Sequence, residues 1–371
     1  MTRIQGIEMF RVRLPLLHEF TTSSHAKRFL EHILVALTAT DGTVGWGEIA
    51  SPSGPFYSAE TVDSCWAVAR DHLAPIVLRT TWDHPATLAA ALAKVRGNHF
   101  ARAGFDMAAW SVWSAAHGVP LASALGGTRS TVEAGVSLGL EPTIDDLLAQ
   151  VAPRVAEGYR RVKLKIAPGW DIEPVRAVRS AFPDVPLHVD ANGAYGTSDV
   201  ATLKELDTLG LLMIEQPYAP RALTDLADLQ AQLDTPVCLD ESIEEVDDLI
   251  TALRLGAGRI LNIKVSRMAG LTPAVRAHNI ALDHGLPVWC GGMHEFGIGR
   301  AANVALSALP GFTLPSDVSG SDKYYARDVT TTPITSTNGQ VEVPTIYGLG
   351  RDPDFAFVQA STTARWHSHR P

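Results

Sequence analysis

The chain has 371 residues, of which 46% are hydrophobic and 19% charged, a balance that excludes an intrinsically disordered protein. Its 31 Lys and Arg against 40 Asp and Glu leave a formal charge of −9, which argues against nucleic acid or an anionic membrane as a main partner. Cys65, Cys238 and Cys290 form no CxxC pair and read as reduced thiols of a cytoplasmic protein, and no apolar run approaches the ~18 residues of a membrane span.

The first 130 residues mix two periodicities. Residues 4–14, 32–39 and 43–49 alternate apolar and polar side chains as strands do, with Asp41-Gly42 as the turn of a hairpin. Helical spacing follows at 58–77, 86–96 and 99–117, predicting an α+β unit. Trp46, Trp66, Trp110 and Trp113 belong to this region and read as packing residues.

From about 131 short apolar runs alternate with helix-length stretches. The runs are 132–137, 161–166, 186–190, 211–215, 236–240, 259–264, 287–290 and 311–315; helices are predicted at 143–157, 171–181, 198–208, 243–255 and 271–284. Unalternating runs bounded by Gly or Pro suit strands buried on both faces. Eight of them, with no glycine-rich phosphate loop after the first, predict a (β/α)-barrel over 131–320 behind an α+β domain over 1–130. Residues 321–371 are expected to return to the first domain, ending in WHSHRP, which reads as a disordered tail.

Five of these runs carry an ionisable residue at their end or one short of it, at a regular interval. Lys165 to Asp190, Asp190 to Glu215 and Glu215 to Asp240 are each 25 residues, and Asp240 to Lys264 is 24. One barrel unit has about that length, so all five side chains should reach the C-terminal rim, where barrel active sites lie. Three carboxylates at one mouth repel one another unless a cation sits among them, and an all-oxygen set with open positions suits a catalytic hard divalent ion. A lone Asp after an apolar run is as often a helix cap; three in register between two lysines are not explained that way. Lys163 lies two residues before Lys165 on the same strand face, and their proximity should lower the pKa of at least one toward that of a base. Lysines on both sides of a metal-held carboxylate suit removal of the proton α to it.

With these residues in place the sequence resembles the enolase superfamily. KLK (163–165), VDAN (189–192), IEQP (214–217), LDES (239–242), NIK (262–264) and CGGM (290–293) occur in the order of its muconate-cycloisomerase-like branch. GWGE (45–48), GPFYS (54–58), EGYRRVKLKIAPGWD (157–171), RAANVALSALPGFTLPSD (300–317) and SDKYY (321–325) are most similar to its N-succinylamino acid racemase/o-succinylbenzoate synthase subfamily. The resemblance implies Lys165 and Lys264 as the acid/base pair and Asp190, Glu215 and Asp240 as ligands of Mg²⁺, for which Mn²⁺ or Co²⁺ can substitute. Lys163, Asn192 and Arg267 would support them, Arg267 by tuning Lys264. Phe20, Tyr57, Ser137, Gly291, Met293 and Tyr324 would face a small-molecule carboxylate substrate. It also implies a homo-oligomer, and a fold in which an α+β capping domain over 1–130, completed by the C-terminal segment 321–371, closes over a modified TIM (β/α)-barrel over 131–320. The implied activity is formation of an enediolate, leading to o-succinylbenzoate by syn-dehydration, to racemisation of N-acyl (N-succinyl) amino acids, or to both.

Two stretches depart from the subfamily. His294-Glu295-Phe296-Gly297 places an aromatic ring where a small hydroxyl is usual, which is expected to reshape the pocket, and NIKVSR (262–267) replaces NIKPGR. A muconate-type cycloisomerase or related carboxylate lyase would use the same lysines and metal. Dipeptide epimerases carry Asp-x-Asp where this chain has Asp317-Val318-Ser319, and acid-sugar dehydratases use a seventh-strand histidine, a place near His294. A G-x-S-x-G elbow and an H-E-x-x-H helix are both absent from the sequence. A catalytically silent binding protein would be expected to have lost a lysine or a metal ligand, and all five are present.

Overall fold

The computed structural model describes residues 1–21 and 26–370, apart from the side chains of Phe20, Thr21 and Ala26. The chain starts as a long antiparallel ribbon, β1 (Thr2–Thr21), β2 (Ala26–Ala39) and β3 (Val44–Ile49), with Gly42 at φ +89° turning between the last two. The two-residue β4 (Thr81–Trp82) pairs with the start of β1. The predicted helix 58–77 is broken by a π turn at Ala69–Leu73, just ahead of Pro75, whose ring removes a helical N–H.

The helix His99–His117 lies directly on this sheet. A Cβ on Gly47 would come within 2.0 Å of the Gly104 carbonyl oxygen, so the glycines of GWGE let strand and helix backbones touch. Trp110 is buried and donates to Thr272 Oγ1 at 2.9 Å, while Trp46, Trp66 and Trp113 are half-buried against the core.

The second half is a curled parallel sheet. β5 (Thr131–Glu133) leads into β6 (Gly135–Leu138), β7 (Arg161–Lys165), β8 (Leu187–Asp190), β9 (Met213–Glu215), β10 (Val237–Leu239), β11 (Ile260–Ile263) and β12 (Val288–Cys290). Each of β6 to β11 pairs with the next in parallel, and a helix follows each of β6 to β12. The run predicted as an eighth strand, 311–315, is not one. Phe312 makes a single bridge to Val288 and Ser316 one to Ala134, because prolines at 310 and 315 remove the N–H groups a ladder needs. Those bridges still carry the chain across the gap between β12 and β6. Met213, Cys238, Ile260 and Trp289 fill the barrel interior, with the Arg161 guanidinium 4.5 Å over the Trp289 ring.

After the barrel, β13 (Gln340–Glu342) pairs with β5, and β14 (Thr362–His369) pairs antiparallel with β1, Trp366 opposite Met9. The WHSHRP tail is therefore strand up to His369 and not disordered: its alternating exposure fits the edge of the first sheet, a partner too distant in sequence to be read locally.

Asp106, buried on the helix His99–His117, accepts from Thr272 N at 2.9 Å and Thr272 Oγ1 at 2.7 Å at the start of the helix Leu271–Asp283. Gly270, at φ +119°, makes room for it. Burial pushes the Asp106 carboxyl up to about 6 from 3.8. A raised carboxyl pKa favours the folded state fully only at low pH, and that contribution is lost as pH rises through 6. Asp106→Asn removes this dependence. Between pH 5 and 7.5 the stability of the parent relative to the variant should fall by about 1–2 kcal/mol in urea titrations. An equal offset at both pH values would contradict it.

Candidate active site

Parallel register assembles the rim. Ser137 pairs with Lys163, Lys165 with Asp190, and Asp190 with Glu215, so neighbouring strands end at one level. Asp240 and Lys264 each follow the last residue of their strand, β10 and β11. Ligand atoms of Asp190, Glu215 and Asp240 lie within 4.8 Å of one another, and all three residues are buried. Three convergent carboxylate oxygens fit a hard divalent cation.

Lysines flank the triad. Lys165 Nζ donates to Asp190 Oδ2 at 2.6 Å and to Asn192 Oδ1, and Asn192 in turn donates to Glu241 Oε1 at 2.8 Å. Four strands away, Lys264 Nζ donates to Asp240 Oδ2 at 2.8 Å and to the Tyr57 hydroxyl at 2.9 Å, which arrives from the first domain's loop. Lys163 Nζ sits between Asp190 (2.8 Å) and Glu215 (2.6 Å).

The expected lowering of a lysine pKa by the Lys163–Lys165 pair is not what the surroundings give Lys163. Burial opposes its charge, but Asp190, Glu215 and Asp317 outweigh both that and the neighbouring cations, holding it above an ordinary lysine. Lys264 is also raised: burial opposes it, while Tyr57, Glu241 and Glu215 favour the ammonium. Arg267 does not stand over Lys264 as a bare like charge. It forms an ion pair with Asp240 Oδ1 and donates to the carbonyls of Ile243 (2.9 Å) and Asn262 (2.8 Å). Glu215 is held from below by Asn262 Nδ2 at 2.8 Å and His188 Nε2 at 2.7 Å.

These groups open into a cavity of about 200 Å³ between the rim and the first domain, which Tyr57, Ser137, Met293 and Tyr324 help to line. Gly291 lies beneath the wall, where its missing side chain leaves room for Asn262; Gly292 is the glycine at the surface. The Phe20 side chain is outside the described residues.

Phe296 does not reshape this pocket. It is fully buried with its ring 4.5 Å from His32 and 5.3 Å from Tyr325, because its backbone starts the helix Gly297–Ser307 and turns the side chain into the core. His294, at φ +60°, is the departure that reaches the cavity, stacked 5.0 Å from Tyr324. Burial, then Lys27 and Arg300, hold its pKa well below an ordinary histidine.

Three groups went unremarked in the sequence. Lys27 and Arg300 line the cavity from β2 and the helix Gly297–Ser307, at positions with no periodic spacing to mark them. Glu48 ends the GWGE stretch, and only its place before a rim helix explains it. It accepts from Phe296 N at 2.8 Å, Gly299 N at 2.7 Å and His32 Nδ1 at 2.7 Å, so the first domain caps the helix behind the rim. Glu48→Ala leaves two buried N–H groups and a histidine without an acceptor. It should cost about 2–4 kcal/mol in chemical unfolding; a change below about 0.5 kcal/mol would refute the capping role.

Residues 6–126 match the family described as mandelate racemase/muconate lactonizing enzyme, N-terminal domain, and residues 146–357 match enolase C-terminal domain-like proteins. The chain belongs to the enolase superfamily. Within this superfamily it is 45% identical to the o-succinylbenzoate synthase of Geobacillus kaustophilus, covering 99% of this chain and 98% of that protein. It is 43% identical to the N-succinylamino acid racemase of an Amycolatopsis species, covering 98% of each. The structure of an enolase-superfamily member from Listeria innocua superposes with a TM-score of 0.97 at 35% identity over 100% of both chains. Muconate cycloisomerase 1 of Rhodococcus opacus is more distant, at 28% identity.

Proposed function

We propose that this enzyme removes the proton α to a carboxylate to give an enediolate, and that it forms o-succinylbenzoate by syn-dehydration, racemises N-acyl (N-succinyl) amino acids, or does both. The carrying observation is the placement of Lys165 and Lys264 on opposite sides of one buried carboxylate triad, in a chain this similar to relatives bearing those two names. The 28% identity to a muconate cycloisomerase disfavours that chemistry. Retention of both lysines and all three carboxylates disfavours a silent binding protein.

In this reading Asp190, Glu215 and Asp240 hold Mg²⁺, or Mn²⁺ or Co²⁺ in its place. When bound, the cation supplies positive charge to the substrate carboxylate. Lys165 takes the α-proton in the dehydration and returns it to the departing hydroxide, while Lys264, kept cationic by its surroundings, stabilises the enediolate. In racemisation one lysine removes the proton and the other delivers one. Asn192 orients Lys165, and Arg267 orients Asp240. Tyr57, Ser137, Met293 and Tyr324 shape the substrate pocket.

Proton NMR of N-succinyl- and N-acetyl-amino acids in D₂O with Mg²⁺ tests the reading, beside an ultraviolet assay for dehydration of the cyclohexadiene precursor of o-succinylbenzoate. Loss of the α-proton signal or dehydration is expected; neither would overturn it. We further assign a capping domain to 1–130, a barrel to 131–320 and a returning segment to 321–371, supported by β14 on β1. Three unpaired thiols and the lack, among the described residues, of a helix fit to cross a membrane support a cytoplasmic setting. Homo-oligomerisation rests on the family resemblance, and light scattering would test it.

A further inference from the structure

Arg161 and His188 are fully buried one layer below the triad, on β7 and β8, two residues before Lys163 and Asp190 and therefore on the same inward faces. Neither has a part in the chemistry proposed above. The Arg161 guanidinium donates to His188 Nδ1 at 2.8 Å and to Asp317 Oδ1, and a side chain at Gly135 would strike it. A guanidinium only donates, so Nδ1 is the acceptor of the ring. The imidazole is then neutral, with its one proton on Nε2. That nitrogen is 2.7 Å from Glu215 Oε2. Lys163 Nζ reaches the same oxygen at 2.6 Å, and Asn262 Nδ2 donates to Oε1 at 2.8 Å. Nε2 and Oε2 are buried in contact but not aligned as a hydrogen bond, which leaves one N–H and one carboxylate oxygen to be completed.

We infer that His188 is a positioning residue for Glu215: Arg161 fixes the imidazole as a neutral donor, and its Nε2–H sets the direction in which the Glu215 carboxylate faces the cation. This deepens the function proposed above and rests on its metal site. A donor that carries no charge orients the carboxylate without adding a cation to the one Lys163 already supplies. One imidazole width separates the Arg161 guanidinium from Glu215. An amide can fill that width with the same order of acceptor and donor. A hydrocarbon cannot, and leaves the buried guanidinium with one acceptor fewer beside a carboxylate that has lost a donor.

The test uses the full chain as the parent, His188→Leu and His188→Gln, with ¹⁵N-labelled histidine. Leucine approximates the bulk of the ring, while glutamine keeps an acceptor toward Arg161 and an N–H toward Glu215. In long-range ¹H–¹⁵N spectra, the histidine signal missing from both variants should carry its proton on Nε2 and have a bare Nδ1. Mg²⁺ should move that Nε2–H downfield and slow its exchange with water as the bond to Glu215 closes. In Mn²⁺ titrations followed by electron paramagnetic resonance, His188→Leu should raise Kd about 10–100-fold and His188→Gln by no more than about threefold. If neither variant folds by circular dichroism, the parent's tautomer and its response to Mg²⁺ decide alone. A proton on Nδ1, an Nε2–H indifferent to Mg²⁺, or Mn²⁺ affinities equal in the two variants overturns the inference. Mn²⁺ affinities as expected with no turnover in the parent support it and overturn the proposed reaction instead. A parent that takes up no Mn²⁺ overturns the metal site, and this inference with it.

Discussion

Lys165→Ala and Lys264→Ala are each expected to lower racemisation or dehydration by about 10³-fold or more, because each removes a group that moves or faces the transferred proton. The two lysines end strands four positions apart and meet different carboxylates, Asp190 and Asp240, so neither can take the other's place. The losses should differ in kind. A racemase needs both groups for turnover, but exchange of the α-proton with solvent needs only the lysine on the face where that proton lies. Each variant should therefore retain slow exchange from one enantiomer only, and the two variants should retain opposite ones. In dehydration Lys165 does all the proton transfer, so Lys264→Arg, which keeps a cation beside Asp240, should recover part of the rate while Lys165→Arg should not. NMR in D₂O on separate enantiomers, with calorimetry to show that Mg²⁺ still binds, checks both statements. Retained turnover in both alanine variants would sink the two-lysine mechanism.

The legibility of this site follows from how it is built. Lys165, Asp190, Glu215, Asp240 and Lys264 fall at intervals of one barrel unit because each closes a strand of a repeating fold, and a period survives in sequence without any structure. Lys27 and Glu48 carry no such period. They reach the rim from a sheet whose position over the barrel depends on helix docking at Gly47, Gly104 and Asp106. Phe296 shows the limit at short range: a residue just beyond a strand can face the cavity or the core, and the start of the helix Gly297–Ser307 decided for the core. The same limit hid β14, whose partner lies more than 350 residues earlier in the chain. At Lys163 the lowering that a lysine pair can give is not found, because its neighbour along the strand is visible in sequence while the two carboxylates that dominate it come from the next two strands.

Asp240→Asn should weaken divalent-cation binding by on the order of 10²–10³-fold, with turnover falling in step at fixed low Mg²⁺. The expectation has two parts. One carboxylate oxygen donor becomes a neutral amide, taking a unit of negative charge from a set of three. The second part comes from the partners: Arg267 and Lys264 both lean on Asp240, one on each oxygen. Without its charge these two buried cations stand beside the cation position unpaired and repel what the remaining Asp190 and Glu215 attract. Arg267→Met in the same background removes one of the two repelling charges and should restore part of the affinity, which a simple loss of a ligand would not allow. Mn²⁺ titration followed by electron paramagnetic resonance reads this directly, independent of any substrate. An Asp240→Asn protein that binds Mn²⁺ as the parent does would remove Asp240 from the metal site and leave it as the anchor of Arg267 and Lys264 alone.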